Sequence, residues 1–528
     1  MDAAMPSLPA WPVLVELLAL FIPATLAIGA IAVPRRAALV TTATLGLALA
    51  FTLGVALSHG AAAARPDLGV QVDATTCVML LVVSGIGAVI ARYSRTYLDG
   101  DPGLARYQRW LSLTLAAVTA LVITDNLLVL AAAWTATSLA LHQLLTFHAD
   151  RPAALVAAHK KFLVSRLADV CLVTCLLLVH REVGSLDLDR LAAWAAAHPA
   201  LTPGMHVAAV LVVVAVALRS AQLPFHGWLM QVMEAPTPVS ALLHAGVVNI
   251  GGFVLIRLAP WMAHAGAAQL LLVTVGLASA VVAALVMTTR VSVKVALAWS
   301  TCAQLGFMLV QCGLGLWHLA LLHLAAHSLY KAHAFLSAGA AVEAWRARTL
   351  GASPPPPSVG RLVVGALVAL GGAALAVGIA RATLAAAPPE QAAIGALALL
   401  VGLAVAPLVL RPTTGRAVLA ARVAGAVALY VGWHVVAARL LPGPPPTTSV
   451  MAWSLVGVGF GGLFVAKATL QVRPAGRFAR ALYPWLYAGL YLDERFTRLT
   501  FRLWPPRLAP RAAALGPGAI AEPAEVRA

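Results

Sequence analysis

The sequence predicts an all-α polytopic membrane protein of about 14–15 transmembrane helices, with a broken helix near Pro224–Pro238. Three observations predict it. Of 528 residues, 61% are hydrophobic and only 10% charged, and the mean hydropathy is +0.90, a balance foreign to soluble globular domains. Apolar runs of about 20 residues, the length a helix needs to cross a bilayer, recur along the whole chain. Within residues 215–257, Arg219, Gln222, His226, Glu234, His244 and Asn249 interrupt such runs beside Pro224, Pro236 and Pro238. Ionisable groups at membrane depth face a bundle interior and mark ion paths. Helix-breaking prolines there are tolerated where protein or cavity water satisfies the freed backbone.

The apolar runs place spans near 11–33, 37–58, 74–93, 108–124, 126–147, 162–181, 205–222, 236–258, 268–289, 295–313, 318–344, 361–381, 391–410, 416–438 and 450–470. Residues 224–235 read as a short half-helix or re-entrant piece. The organisation is thus N-terminal helices (1–73), a polar-rich core (74–349), a Pro-rich linker (350–360, LGASPPPPSVG), blander helices (361–471) and a basic amphipathic tail (472–528). The tail alternates Arg with Phe, Trp, Tyr and Leu, a pattern suited to the membrane interface or to docking a partner. Residues 512–528 read as disordered.

Basic residues gather after odd-numbered spans, for example Arg35 and Arg36, Arg92 and Arg95, Lys160 and Lys161, Arg290 and Lys294, and Arg346 and Arg348. Positive loops stay cytoplasmic, so the N-terminus is expected in the periplasm and the C-terminus in the cytoplasm of a bacterial inner membrane. The first apolar run continues to Val33 without a basic start, so no cleavable signal peptide is expected. The net charge of +17 is a topology signal, which leaves the lipid bilayer rather than nucleic acid as the partner. Cys77, Cys171, Cys175, Cys302 and Cys312 lie in apolar segments without ligand-like clustering, so they read as small buried hydrophobes.

Four constellations carry chemistry. Thr135, Ser138 and His142 share one face of the fifth span, beside Gln143, as interhelical hydrogen-bonding groups or proton-handling ones. Arg166 and Asp169 stand at i and i+3 on the sixth, spaced for a fixed ion pair or for one whose partner changes with the proton. Arg219, a turn before Gln222, keeps its proton and can set a field but not carry the proton itself. On the eleventh span His323, His327 and Lys331 recur at i, i+4 and i+8, with Tyr330 and His333 beside them. Imidazole passes protons through its two nitrogens, and a buried lysine can exchange one, so this stripe reads as a proton wire. His244, Asn249, Lys294 and Gln304 are placed to continue it laterally. A zinc site on these histidines lacks carboxylate or thiolate company, and no metal or cofactor is expected in this chain.

These motifs resemble a family. RSAQLPFHGWLMQVMEAPTPVSALLHAG is similar to the proline-broken segment of the antiporter-like subunits of respiratory complex I and of Mrp antiporters. KKFLVSRLADV, KVALAWSTCAQLGFM and HLAAHSLYKAHAFLSAG resemble that family's sixth-, tenth- and eleventh-helix motifs, in order, within about residues 75–345. The resemblance implies an antiporter-like subunit fold. It carries Arg166 and Asp169 onto the sixth-helix pair and Arg219 onto the central lysine. His244 falls on the eighth-helix histidine, and Lys294, His323, His327 and Lys331 on the central relay. The chain departs from the family where Thr135 follows Trp134 in place of a glutamate, where Arg219 replaces lysine, and where span 361–381 has no internal charge in place of a lysine. Those departures count against a full acid–lysine–lysine relay and against a place in complex I.

PFHGWLMQVMEAPTPVSALLHAG together with AWTATSLALHQLLTFH most resembles a narrower branch, the DabB-type membrane subunit of a two-component inorganic carbon accumulation complex. That resemblance implies proton or other cation flow energising a large cytoplasmic DabA-like partner, a zinc protein similar to β-carbonic anhydrase. Zinc and catalysis would then belong to the partner. Two alternatives stay open: a Na+/H+ antiporter or quinone-oxidoreductase membrane subunit, and a non-conducting anchor for a cytoplasmic enzyme.

Overall fold

A backbone surrounded by lipid must satisfy its hydrogen bonds within its own segment, and long apolar runs therefore fold as helices. The computed structural model describes residues 10–33, 36–59, 68–340, 358–384 and 449–505, with single positions between 343 and 446. The expected span 391–410, most of the expected span 416–438, most of the Pro-rich linker and residues 512–528 lie outside the described residues.

α1 (Ala10–Ala32) and α2 (Ala37–His59) open the chain. α3 (Ala74–Tyr97) starts at Asp73, whose carboxylate accepts the Thr76 amide at 2.7 Å, a side-chain cap for an otherwise unpaired N–H. α4 (Leu104–Ile123) and α5 (Leu127–Leu145) follow, with Asn126 capping α5. α6 (Pro152–Val183) carries Pro at its N-terminus and stops at Gly184, which takes φ +72°. α7 (Leu188–Ala197) is a short connecting helix. α8 (Pro203–Arg219) ends where Ala221 is forced to φ +50°. Then come α9 (Gly227–Gln231) and a 3-10 turn over Val232–Glu234, the expected short piece after the seventh span.

The expected eighth span is itself interrupted. α10 (Thr237–Ala245) and α11 (Ile250–Arg257) are separated at Gly246 by a 3-10 turn. α12 (Ala259–Met262), α13 (Gly266–Val286), α14 (Val293–Gly313) and α15 (Trp317–Leu336) complete the core. α16 (Val359–Leu384) and α17 (Val450–Val472) come next, then two tail helices, α18 (Arg477–Tyr487) and α19 (Leu492–Leu503). Nine helical stretches among the described residues, the interrupted α10–α11 counted as one, are long and apolar enough to cross a membrane. α4, α8 and α15 stand at three more of the expected spans. Among the described residues there is no strand, only isolated bridges pairing Val70 with Thr124 and Asn126 with Asp187.

One boundary changes the chemistry. α6 begins at Pro152, ten residues before the expected 162. Lys160 and Lys161, expected as loop charges, are inside the helix and buried. The Ala-rich turns before them continue the helix without a break, and both ammonium groups find acceptors in the interior.

Packing places the polar residues. α13 and α14 cross through Gly276 and Gly306, where a Cβ on either would lie 2.5 Å from the other's carbonyl oxygen; small residues let membrane helices approach this closely. α6 packs on α8, and α10 on α15. At one end of the bundle, the buried Arg257 guanidinium holds Asp73 at 2.7 Å, Gln71 at 2.8 Å and Thr76 at 2.6 Å. At the other end the tail helices lie against α6, α9 and the turn before α14.

Candidate functional site

Asp169 is the meeting point of α5, α6 and α8. Its Oδ1 accepts from the Thr135 hydroxyl at 2.8 Å and is paired with Arg219 Nη2. The same Nη2 also donates to Thr135 Oγ1 at 3.2 Å. The Arg219 guanidinium lies over the Trp134 ring, 4.6 Å from its centroid. Arg166, one turn before Asp169, brings Nη2 to 2.9 Å from Oδ2, close in distance but not aligned as a hydrogen bond. The expected i,i+3 pair is therefore present, and Arg219 closes on the same carboxylate from α8. Both arginines keep their protons, so one carboxylate sits in a fixed positive field. His142 lies one turn beyond Ser138 on α5, its ring 5.5 Å from that of Phe162.

The second cluster lies between α10, α14 and α15. Lys331 is buried and donates to Ser300 Oγ at 2.8 Å and Leu297 O at 3.0 Å, both on α14. His327 is buried, and neither ring nitrogen has a protein partner among the described residues. Its ring centroid is 6.1 Å from that of His323, and His323 Nδ1 lies 2.9 Å from Gln311 Oε1. His244 comes in from α10, stacked on Phe335 at 4.3 Å with Nδ1 3.2 Å from Thr301 Oγ1. At the Gly246 break, Asn249 donates to Ser328 Oγ at 2.7 Å, beside a cavity lined by Met79, Ile86, Gly246 and Leu324.

The structure brings together Thr135, Arg166, Asp169 and Arg219 in one centre, and His244, His323, His327, Lys331 and Asn249 in the other. Four expected members stand apart or at the margin. Glu234 pairs with Arg151 at 3.2 Å, with side chains 42% and 50% exposed, a surface contact rather than a member of either centre. Lys294 is half-buried at the start of α14 and donates to Thr237 Oγ1 at 2.8 Å, because its helix begins only one residue earlier. Gln304 is half-buried on α14. Gln222 is buried at the α8 break, its amide donating to Ser220 O at 2.9 Å.

Sequence reasoning missed four groups. Lys161 Nζ donates to Ser138 O at 2.5 Å and Ser138 Oγ at 2.7 Å. Lys160 Nζ meets Asp493 at 2.5 Å, Thr497 Oγ1 at 2.7 Å and Gln231 Oε1 at 3.2 Å. Asp73, partly buried, pairs with the buried Arg257 guanidinium. Burial works to raise the Asp73 carboxyl, but the adjacent guanidinium and the Thr76 amide overcome it and hold its pKa below the ordinary value. Asp125, in the loop between α4 and α5, is pushed up to about 7, first by burial and then by Asp189, against the pull of Arg257. The unbroken Ala-rich run before Lys160 was the available signal for the two lysines; their distant partners leave none. Among the described residues no group of three or more His, Cys, Asp or Glu side chains is placed to hold a metal ion.

The family described as NADH:quinone oxidoreductase/Mrp antiporter, TM, matches residues 124–405, more than half of the chain. The chain belongs to that family. A second description, NADH-ubiquinone oxidoreductase (complex I), chain 5 N-terminus, matches residues 61–108 of this antiporter-like subunit. It is 51% identical over 272 residues to the probable inorganic carbon transporter subunit DabB2 of Halothiobacillus neapolitanus, covering 52% of this chain and 49% of that protein. It is 46% identical over 314 residues to the probable inorganic carbon transporter subunit DabB of Hydrogenovibrio crunogenus, covering 59% and 61%. NADH-quinone oxidoreductase subunit L of Escherichia coli is 34% identical over 278 residues, covering 51% and 44%. The chain thus spans about half to three-fifths of the length of the inorganic carbon relatives it matches. A chain in the structure of the Mrp complex from a Dietzia species superimposes with a TM-score of 0.55 at 27% identity, covering 92% of this chain and 52% of that one. The antiporter-like fold expected from the motifs is the fold observed, in a multi-pass membrane subunit.

Proposed function

We propose that this antiporter-like subunit conducts protons as the membrane half of a two-component inorganic carbon accumulation complex in a bacterial inner membrane. Its partner would be a large cytoplasmic zinc protein of carbonic-anhydrase type, hydrating CO2 to bicarbonate. The observation that carries the reading is Lys331, buried and hydrogen-bonded to a hydroxyl and a carbonyl with no carboxylate in ion-pair distance among the described residues, in file with His327 and His323. Lysine and imidazole can each take up and release a proton, whereas Arg166 and Arg219 supply the fixed field around Asp169. His244 and Asn249 adjoin that file at the Gly246 break, where the interrupted helix frees backbone groups beside a cavity.

The similarity to inorganic carbon transporter subunits supports the carbon assignment. The geometry also supports the expected orientation. The tail meets Arg290, a basic residue in the loop after an odd-numbered span, so the tail and that basic loop share one end. The positive-inside rule makes that end cytoplasmic, where a soluble partner would dock.

The test is growth of a carbonic-anhydrase-deficient bacterium in ambient air, with the chain co-expressed with its candidate zinc partner. Lys331→Ala and Asp169→Asn should each abolish rescue, as should a protonophore. Full rescue by both variants in an assembled complex would sink the conducting role and leave a membrane anchor. Rescue of an antiporter-deficient strain in high sodium would point instead to sodium/proton exchange.

A further inference from the structure

We infer that Lys161 is a second proton-carrying lysine, the counterpart of Lys331 in the other half of the path. The two sites are built alike. Each lysine is buried. Each donates to one serine hydroxyl and one backbone carbonyl, and in each case both acceptors lie on the helix just before the lysine's own. Lys161 on α6 uses Ser138 Oγ and Ser138 O of α5; Lys331 on α15 uses Ser300 Oγ and Leu297 O of α14. Among the described residues, neither has a carboxylate within ion-pair distance. Lys160, one residue away, is different: it is neutralised by Asp493.

A structural lysine buried without an anion is costly. Neutral acceptors serve both the ammonium and the amine, so the site holds the side chain in place through a change of charge. Lys161 is also positioned for transfer. It lies between the tail-side end of α6, where Lys160 meets Asp493, and Asp169, which is eight residues on, about 12 Å along the helix. The charged and titratable groups around it are Arg166 and Asp169 on its own helix, Arg219 on α8 and His142 on α5. The neutral amine takes a proton arriving through water from the Asp169 side, becomes the ammonium, and releases the same proton towards the tail side. No other bond changes.

This inference rests on the proton-conducting reading, and its test separates the two. The full-length protein is placed in liposomes with a trapped pH dye, and a potassium gradient with valinomycin drives proton entry. Lys331→Ala, Lys161→Met and Lys161→Gln should each lower the flux at least tenfold, while Lys161→His should conduct with a pH profile moved to lower pH. If Lys161→Gln elutes as a normal monodisperse protein and conducts within twofold of wild type while Lys331→Ala does not, the inference is overturned and the reading stands. A Lys161→His variant with reduced flux but an unmoved pH profile also overturns it, assigning Lys161 a structural role. Wild-type flux no greater than that of protein-free liposomes overturns both.

Discussion

Gly227 and Asp493 lie so close that a Cβ on the glycine would fall on the Asp493 carboxylate. Two segments 266 residues apart in sequence thereby form one joint: α19 seats its carboxylate on α9, against Lys160 and Gln231. Phe496 packs edge-on against Phe225 just before α9, with ring centroids 5.4 Å apart. The first prediction follows from the steric relation. Gly227→Ala should cost roughly 1–3 kcal/mol by overpacking. Most of that cost should vanish in an Asp493→Ala background, because the colliding group is gone. Additive losses in a double-mutant cycle, read by thermal unfolding in detergent, would contradict the contact.

Asp493 also neutralises a side chain that has no exposed surface of its own. Lys160 is fully buried, and the carboxylate that meets it is 27% exposed. Asp493→Ala should therefore leave an uncompensated buried charge, at a cost of roughly 2–3 kcal/mol. The release should be local: the tail, not the bundle, loses its anchor. Limited proteolysis should cut between residues 473 and 505 several-fold faster in the variant, with the core fragment unchanged. Equal cutting rates would show that the tail is held by its aromatic contacts alone.

At the opposite end of the bundle, two carboxyl groups titrate with opposite signs. Asp73 is held below its ordinary value despite burial, by Arg257 and the Thr76 amide. Its contribution is present above the ordinary carboxyl range and fades as pH falls through the lowered folded value. Asp125 is raised to about 7, by burial first and Asp189 second. The fold favours its protonated form, so its contribution is full below the ordinary value and is lost as pH rises towards 7. Asp125→Asn removes that loss. The variant should match wild type near pH 4 and exceed it at pH 8 by roughly 1–3 kcal/mol. Melting temperatures across that range decide it: a difference that does not grow with pH is the failing result.

The limits of what was legible follow from the same residues. Helical spans were readable because apolar length reports directly on the bilayer, and the break after α8 because Pro224 cannot continue a helix. No proline marks the Gly246 break, although Gly251 and Gly252 lie just beyond. The stripe of His323, His327 and Lys331 was readable because helical period alone puts it on one face. Lys160 and Lys161 escape a local reading because a lysine pair next to an apolar run looks like a loop. What distinguishes them is Ser138 on a neighbouring helix and Asp493 in the tail, both invisible to local pattern. Glu234 had the right chemistry for the path, but only the position of Arg151 shows that it faces outward.

The Asp169 centre allows fold and function to be separated. Asp169→Asn leaves Arg219 buried and Arg166 partly buried, both facing a neutral amide, and should cost about 3–5 kcal/mol. Lost activity in that variant alone is therefore ambiguous. Arg219→Gln in the same chain removes the stranded buried charge, so most of the stability should return. Arg166 keeps its contact with the Phe162 ring, 5.1 Å from its centroid. If the charge pattern around Asp169 serves proton movement, the double variant should melt within about 1 kcal/mol of wild type and still fail to conduct. Thr135→Val supplies the contrast, since it removes only the bridging hydroxyl while Asp169 and Arg219 stay paired, and its flux should fall by far less. A double variant that regains both stability and flux would make this centre a structural clasp and leave conduction to the α15 file.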